Sequence, residues 1–347
     1  MRFAIKLALR IIILGLFMGA FSWLVLGSTR SFDLRGNTAT GIINAVKTFA
    51  AVPFVSEKKL SGEDNLRVNA LILGESGPGY ESPLLTDTIL VASINTQTKE
   101  LALISIPRDL LIQIPGSKLV SRINTLYLMK KQADEMASID DFNKHAEYIK
   151  SKVEEITGLE IPYVVLINVS GFESAIEALG GINVYVDHDI VDPQFPTTGY
   201  GHEYFSLEKG WRFMDGATAQ KYVRTRHDIR GDFGRMERQQ QVVGAIINKA
   251  RGLNLILDFS KIFSLVSTLG NNIQTNADTG EIKRTWSFSK NIDVNKIKNL
   301  AIDGGRPDSL LTDYRPYLGT GVASTLVPRA GIFNYSEIQN AISSLLR

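Results

Sequence analysis

From Ile11 to Thr29 the chain runs for 19 residues without a charged side chain, rich in Ile, Leu, Phe, Gly and Trp. A helix of that length is roughly 28 Å long, close to the hydrocarbon thickness of a bilayer. Arg2, Lys6 and Arg10 precede the run, so the positive-inside rule leaves residues 1–10 in the cytoplasm. A buried core helix is a poor alternative, because no polar face interrupts the run. The competing reading is a cleaved signal peptide, but GSTRSF after Leu26 has no small-x-small cleavage pattern. The expectation is a single-pass anchor over residues 11–29 that carries the body outside the membrane, where ATP is not available.

The body must hold its own core. At 347 residues the chain suggests two domains at most, and 44% hydrophobic with 21% charged residues excludes wholesale disorder. Cysteine is absent, which removes disulfide frameworks, thiolate zinc sites and cysteine nucleophiles together. His145, His188, His202 and His227 show no HxH or HxxxH spacing, so a histidine metal site is not expected. The net charge of +2 falls to about −1 once the three amino-terminal cations are set aside (2 minus 3). Such a body lacks the basic footprint of a nucleic-acid binder, and none is expected as a partner.

Along the chain, residues 30–62 read as a stalk. Val68–Leu73, Thr88–Ile94 and Leu101–Ile106 are short Val/Ile/Leu-rich strands. Residues 133–157 read as one helix, with Ile149, Val153 and Ile156 on one face and TG at 157–158 as its stop. Tyr163–Val169 has the continuous apolar character of a strand buried on both faces. A short helix over Phe172–Leu179 ends at Gly180-Gly181, and Ile182–Val186 is another strand. Leu207–Lys221, Arg235–Arg251 and Leu253–Leu269 read as helices, and residues 284–346 as a few strands plus a terminal helix from Tyr335. Strands alternating with helices predict an α/β fold with helices layered on a sheet.

The densest chemical signal is YVRTRHDIRGDFGRMERQ at 222–239, with five arginines and no lysine. Arg224 and Arg226 are two apart and share a face if they stand on a strand. Arg235, Arg238 and Gln239 share a face on a helix. Gly231 and Gly234 bracket the turn between. Two arginine-bearing faces meeting at a turn suit a multi-oxygen anion, and exclusive use of Arg favours bidentate phosphate recognition. The plainer reading is a solvated face salt-bridged to Asp228, Asp232 and Glu237.

Arg108 in SIPRD follows a proline that ends a strand, a place where an arginine also serves structure alone. Glu75 and Asp87 stand twelve residues apart at two strand boundaries. Two carboxylates near phosphate-binding arginines suit Mg²⁺, which takes one or two carboxylates and the substrate's oxygens. GESGPG at 74–79 lacks the GK[ST] of a P-loop, and no G-x-S-x-G elbow occurs.

In order, the chain shows LILGE at 71–75, TDTILVASIN at 86–95, ISIPRDLLIQIPG at 104–116 and RINTLY at 122–127. ALGGINVYV at 178–186, GWRFMDGATA at 210–219, YVRTRHD at 222–228 and GDFGRMERQQQVV at 231–243 follow. With the apolar amino-terminal run, this ordered set resembles the LytR-CpsA-Psr family of bacterial cell-wall glycopolymer ligases. The resemblance implies a three-layer α/β/α sandwich around a mixed sheet, preceded by one transmembrane helix. A polyprenyl chain is expected between sheet and helices, with its diphosphate at an arginine-lined mouth.

Carried over by motif, Asp87 matches the family's Mg²⁺-binding aspartate, and Mn²⁺ would serve as Mg²⁺ does. Arg108, Arg224, Arg226, Arg235 and Gln239 match its phosphate contacts, with Asp232 and Arg238 at supporting positions. Glu75 stands where the family has Asp, and Arg122 where it has Lys; both keep the charge. The implied layout is a cytoplasmic end (1–10), anchor (11–29), stalk (30–62), catalytic domain (63–255) and a carboxy-terminal part packed on it (256–347).

The implied activity is transfer of a glycopolymer from a polyprenyl-diphosphate carrier to a hydroxyl of peptidoglycan or another wall acceptor, outside the cell membrane. Three rivals remain: a polyprenyl-diphosphate phosphatase, a membrane-anchored regulator without catalysis, and a module that only binds lipid-linked glycan. About ten cytoplasmic residues are too few for a DNA-binding domain, which disfavours the regulator.

Overall fold

The computed structural model describes residues 55–80, 84–137, 141–197, 201–225, 230–252, 272–304, 309–318 and 321–347. The expected anchor at 11–29, the stalk before residue 55, Arg226, and the expected helix over Leu253–Leu269 lie outside the described residues. Among the described residues no helix is long and apolar enough to cross a membrane.

Strands β1 (Arg67–Glu75), β2 (Thr86–Asn95) and β3 (Leu101–Ser105) pair antiparallel in chain order. A hairpin of β4 (Leu111–Gln113) and β5 (Val120–Arg122) follows. One 3-10 turn, Ile123–Thr125, then leads into α1 (Leu126–Met136). The single helix expected over 133–157 is in fact two. α2 (Phe142–Thr157) starts afresh because the Asp141 carboxylate accepts from the Asn143 N–H. Gly158, in the left-handed region, ends it. β6 (Tyr163–Asn168) then pairs parallel with β1, and α3 (Val169–Ala178) follows.

The stretch expected to be helical from Leu207 also differs. β7 (Ile182–Val186) is followed by the ribbon β8 (Ile190–Pro196) and β9 (His202–Leu207), and then by β10 (Gly210–Met214), which pairs with β7. Trp211 and Phe213 face outward while Met214 is buried, a period of two that no helix accommodates. α4 (Gly216–Arg224) begins only after Asp215, whose carboxylate accepts from the Thr218 N–H. Arg224 is thus the last residue of a helix rather than part of a strand.

α4 lies so close to α3 that a Cβ on Gly216 would sit 2.3 Å from the Glu173 carbonyl oxygen. Backbone cannot yield as a side chain can. Gly216→Ala is therefore expected to destabilise the protein by about 1–3 kcal/mol, read by chemical denaturation.

α5 (Gly231–Arg251) crosses the sheet. Gln240, buried on it, donates to the Ser105 hydroxyl at 2.8 Å and fixes the helix to β3. Beyond it lie β11 (Ile273–Thr275), α6 (Thr279–Ser289) and β12 (Lys298–Ala301). The small strands β13 (Leu311–Tyr314), β14 (Tyr317–Leu318), β15 (Gly321–Val322) and β16 (Thr325–Pro328) precede α7 (Ser336–Leu345).

The result is a mixed α/β fold around one mixed sheet, ordered β11-β6-β1-β2-β3-β12. Both outer strands come from beyond residue 255. One sheet face packs Leu71, Leu73, Ile89, Val91 and Ile104 against residues of α1, α2 and α7, among them Leu126, Ile149, Val153 and Ile338. The other packs Leu90, Leu101 and Leu103 against Val243 and Ile247 of α5. Tyr163, Val164 and Leu166 of β6 are buried in the core. Helices clamp both faces, which leaves the strand ends to carry chemistry.

Candidate active site

β1 and β2 stay in register as far as Gly74 opposite Thr88, and then Glu75 pairs with Thr86. Asp87 is the extra residue of this bulge. Bulges of this kind re-aim side chains next to functional sites. The Asp87 carboxylate accepts from Arg108 Nη1 at 2.9 Å and from Asn124 Nδ2 at 3.5 Å.

Arg108, just past β3, is the hub. Its Nε lies 3.4 Å from Asp109 Oδ2 and 3.7 Å from Asp232 Oδ1. Burial pulls the Arg108 guanidinium down, but Asp87, Asp232 and Asp109 together outweigh it and raise its pKa above the ordinary value. Asp109 Oδ1 also lies 3.4 Å from Arg122 Nε, so one carboxylate spans two arginines. In the first turn of α5, Asp232 accepts from Arg235 Nη2 at 3.0 Å, and Arg235 is only 2% exposed. This is not a fully solvated face: the charges interleave part-buried around a buried Arg235.

Arg224 arrives from the carboxy-terminal end of α4. Its guanidinium lies 4.4 Å from the Tyr80 ring centre and 5.3 Å from that of Phe195. Burial lowers its pKa, and Tyr80 and Asp87 partly oppose that. Among the described residues, the buried atoms Glu75 Oε2, Arg108 Nε, Arg122 Nε, Asn124 Oδ1, Arg224 Nη1 and Asp232 Oδ1 have no hydrogen-bond partner. Buried polar groups are nearly always satisfied within a fold, so this concentration marks a place built for an outside partner.

Two expected phosphate or substrate contacts also brace the elements around the site. Arg238, 2% exposed, donates from Nε to the Tyr222 carbonyl at 2.9 Å and from Nη2 to that of Thr225. It ties the end of α4 to α5 and so positions Arg224. Gln239 donates to Thr88 Oγ1 at 2.9 Å, which docks α5 on the bulged strand. The alternative ion pairing of this segment appears at Arg230 with Glu237, on the outer side of the helix.

Glu75 and Asp87 end two adjacent strands, and no third Asp, Glu or His joins them into a metal cluster among the described residues. The unsatisfied Glu75 Oε2 fits a cation, and two carboxylates match what Mg²⁺ takes from a protein. Burial raises the Glu75 carboxyl above its usual range, only partly offset by Lys131. A raised folded-state value means stability is fully present at low pH and is lost as pH rises through that value. Glu75→Gln is therefore expected to raise the thermal midpoint at pH 7 in the absence of divalent cation, and to flatten its fall with pH.

Three site residues escape sequence reasoning. Asp109 and Asn124 sit inside the SIPRD and RINTLY motifs, where their neighbours Arg108 and Arg122 draw attention first. Tyr80 lies in a loop with no periodic signal at all.

Comparison with known proteins places this geometry. The chain is 32% identical over 199 residues to the polyisoprenyl-teichoic acid–peptidoglycan teichoic acid transferase TagU of Oceanobacillus iheyensis, covering 57% of this chain and 55% of that protein. Its Bacillus subtilis counterpart is 30% identical over 191 residues, covering 55% and 54%. The chain thus spans about half the length of the curated relatives it matches. The crystal structure of B. subtilis TagV shares the fold, with a TM-score of 0.59 at 24% identity over 81% of this chain and 97% of that one. The family model matches residues 37–320, and the chain belongs to the LytR_cpsA_psr family.

Proposed function

We propose that the protein transfers a glycopolymer from a polyprenyl-diphosphate carrier to a hydroxyl of peptidoglycan or another wall acceptor. The observation that carries this reading is the part-buried arginine–carboxylate cluster at the strand ends, where the unsatisfied guanidinium donors Arg108 Nε, Arg122 Nε and Arg224 Nη1 suit a diphosphate. The transferase names of the TagU relatives support the same chemistry. The apolar run at 11–29 serves as the membrane anchor, with the body extracytoplasmic.

In this mechanism the diphosphate bond stores the energy, so no nucleotide is needed. Arg108, Arg122, Arg224 and Arg235, with Arg226, neutralise the diphosphate and the departing polyprenyl phosphate. The acceptor oxygen attacks the phosphorus attached to the glycan, and the bond to the bridging oxygen breaks. Asp232, ion-paired with Arg235 and 3.7 Å from Arg108 Nε, would take the hydroxyl proton. Asp87 and Glu75 hold Mg²⁺ or Mn²⁺, which when bound supplies charge neutralisation at the phosphoryl oxygens. Arg238 and Gln239 hold the elements that carry these groups.

The test uses the full chain in detergent with a lipid-diphosphate-linked oligosaccharide, a peptidoglycan oligomer and Mg²⁺, read by mass spectrometry. A phosphate-linked conjugate that disappears with both Asp87→Ala and Arg108→Ala supports the reading. Phosphorylated glycan and polyprenyl phosphate without conjugate replace it with the phosphatase.

A further inference from the structure

Beside the site stands a β-ribbon with two faces of opposite kind. Residues 187–189 join β7 to β8, and Glu208 and Lys209 join β9 to β10, so the pairs β7–β10 and β8–β9 are two halves of one ribbon. At the joint the Lys209 N–H donates to Asp189 Oδ1 at 2.7 Å. The inner face, with Val184, Ile190, Phe195, Phe205 and Met214, forms one core with Tyr222 of α4 and Val242 of α5. Phe195 is the ring that stands 5.3 Å from the Arg224 guanidinium, so the ribbon borders the site.

Strand alternation turns the other residues outward. Tyr185, Val191, Tyr204, Trp211 and Phe213 are exposed there, and no exposed residue of these four strands is Asp, Glu, Lys or Arg. Trp211 is 72% exposed and Phe213 64%. The rings of the paired residues Tyr185 and Trp211 meet edge to face, their centres 5.6 Å apart. The Phe213 ring lies across Gly181, where a Cβ would stand 2.3 Å from its Cζ. Charge is kept to the margins: Arg212 pairs with Glu208 at 2.8 Å, and Lys221 with Glu203 at 2.9 Å. Contiguous aromatic surface of this kind, rimmed by polar groups, marks a face that something covers.

The chemistry of the face and the reach of the chain choose the cover. Sugar hydroxyls need hydrogen-bonding side chains among the stacking rings, and on β7 and β10 the exposed residues beside the three rings supply one amide, Asn183. Trp and Tyr, each with an apolar body and a polar tip, favour the bilayer–water interface. A face without charges gives up no ion hydration there. The apolar run ends at Thr29 and the described body begins at residue 55, which leaves residues 30–54, 25 in all, between them. Even fully extended these reach at most about 90 Å. The body is thereby confined to the membrane surface, where weak contacts suffice to seat it. We propose that the outer face of this ribbon rests in the headgroup region of the extracytoplasmic leaflet. The site bordered by Phe195 and Arg224 is then held at the surface where a polyprenyl-linked diphosphate resides.

The proposal rests on the anchor reading of residues 11–29, and the experiment separates the two. The chain has no cysteine, so Ser206→Cys on the outer face and Ser151→Cys on α2 each take a single nitroxide label. α2 packs on the opposite face of the central sheet from α5, which makes Ser151 the aqueous control. The full chain is reconstituted into phosphatidylcholine vesicles with a water-soluble nickel chelate on both sides, and collision with each label is read by electron paramagnetic resonance. The Ser206 label is expected to be shielded and the Ser151 label not. Trp211→Glu, which sets a charge on the face without touching the core, is expected to restore collision at Ser206 with an unchanged melting midpoint. Vesicles that float with the chain while the Ser206 label stays as accessible as the Ser151 label overturn the proposal and leave the anchor standing. Shielding that survives Trp211→Glu overturns it too. Shielding that appears only with added peptidoglycan oligomer assigns the face to glycan instead, and shielding in detergent that grows with protein concentration assigns it to a second copy. A chain that does not float with the vesicles overturns both readings.

Discussion

Arg108→Ala is expected to lower the rate of conjugate formation by roughly 10²–10³, the usual cost of removing one preorganised contact to developing charge. The number belongs to Arg108 because of where its guanidinium stands. It binds Asp87 through Nη1 and keeps Nε, without a hydrogen bond, between Asp109 and Asp232. Three carboxylates converge on one guanidinium, so truncation also leaves them facing one another across a half-buried space. Part of the loss is therefore repulsion among these carboxylates. Arg108→Lys keeps the charge but not the fork that reaches Asp87 and the phosphate together, and is expected to recover only part of the rate. Single-turnover measurements with saturating lipid-linked substrate check this. An Arg108→Ala rate within a factor of about three of native would show that the cluster is structural.

Arg238→Ala is expected to act on stability first. The side chain is 2% exposed and donates to two carbonyls at the carboxy-terminal end of α4. Helix ends leave carbonyls without intrahelical partners, and here a single guanidinium supplies them. Each carbonyl left buried and unpaired costs about 1–3 kcal/mol, so the midpoint should fall by roughly 5–10 °C. Arg224, last residue of the same helix, then loses its fixed approach to the site. Activity should drop even at temperatures where the variant is fully folded. Calorimetry beside single-turnover rates separates the two effects, and loss of rate with an unchanged midpoint would return Arg238 to the substrate-contacting set.

The contrast between Arg238 and Arg108 shows where sequence reasoning stops. Both are arginines in dense motifs, and nothing in the spacing separates an arginine bound to backbone from one aimed into the site. The 133–157 and Leu207–Lys221 stretches failed for a related reason. Asp141 and Asp215 are ordinary polar residues until their carboxylates are seen to cap new helices, and the alternation of Trp211 and Phe213 is too short to outweigh helix formers nearby. By contrast, β1, β2, β3 and β6 were legible because each buries a run of Val, Ile and Leu, a pattern that survives any arrangement of the rest.

What the amino-acid order alone determined is local and additive: the strands of the central sheet, the family motifs, the absence of cysteine chemistry and the stock of arginines and carboxylates. Tertiary structure decided the assignments that depend on meeting partners. It turned Asp87 out at a bulge, placed Asp109 between two arginines, gave Arg238 and Gln239 to the scaffold, and left the Glu75 and Asn124 oxygens without donors. The physical reason is that a polar side chain's role is set by which donors and acceptors remain unsatisfied once it is buried. That count exists only when segments distant in sequence have closed around it.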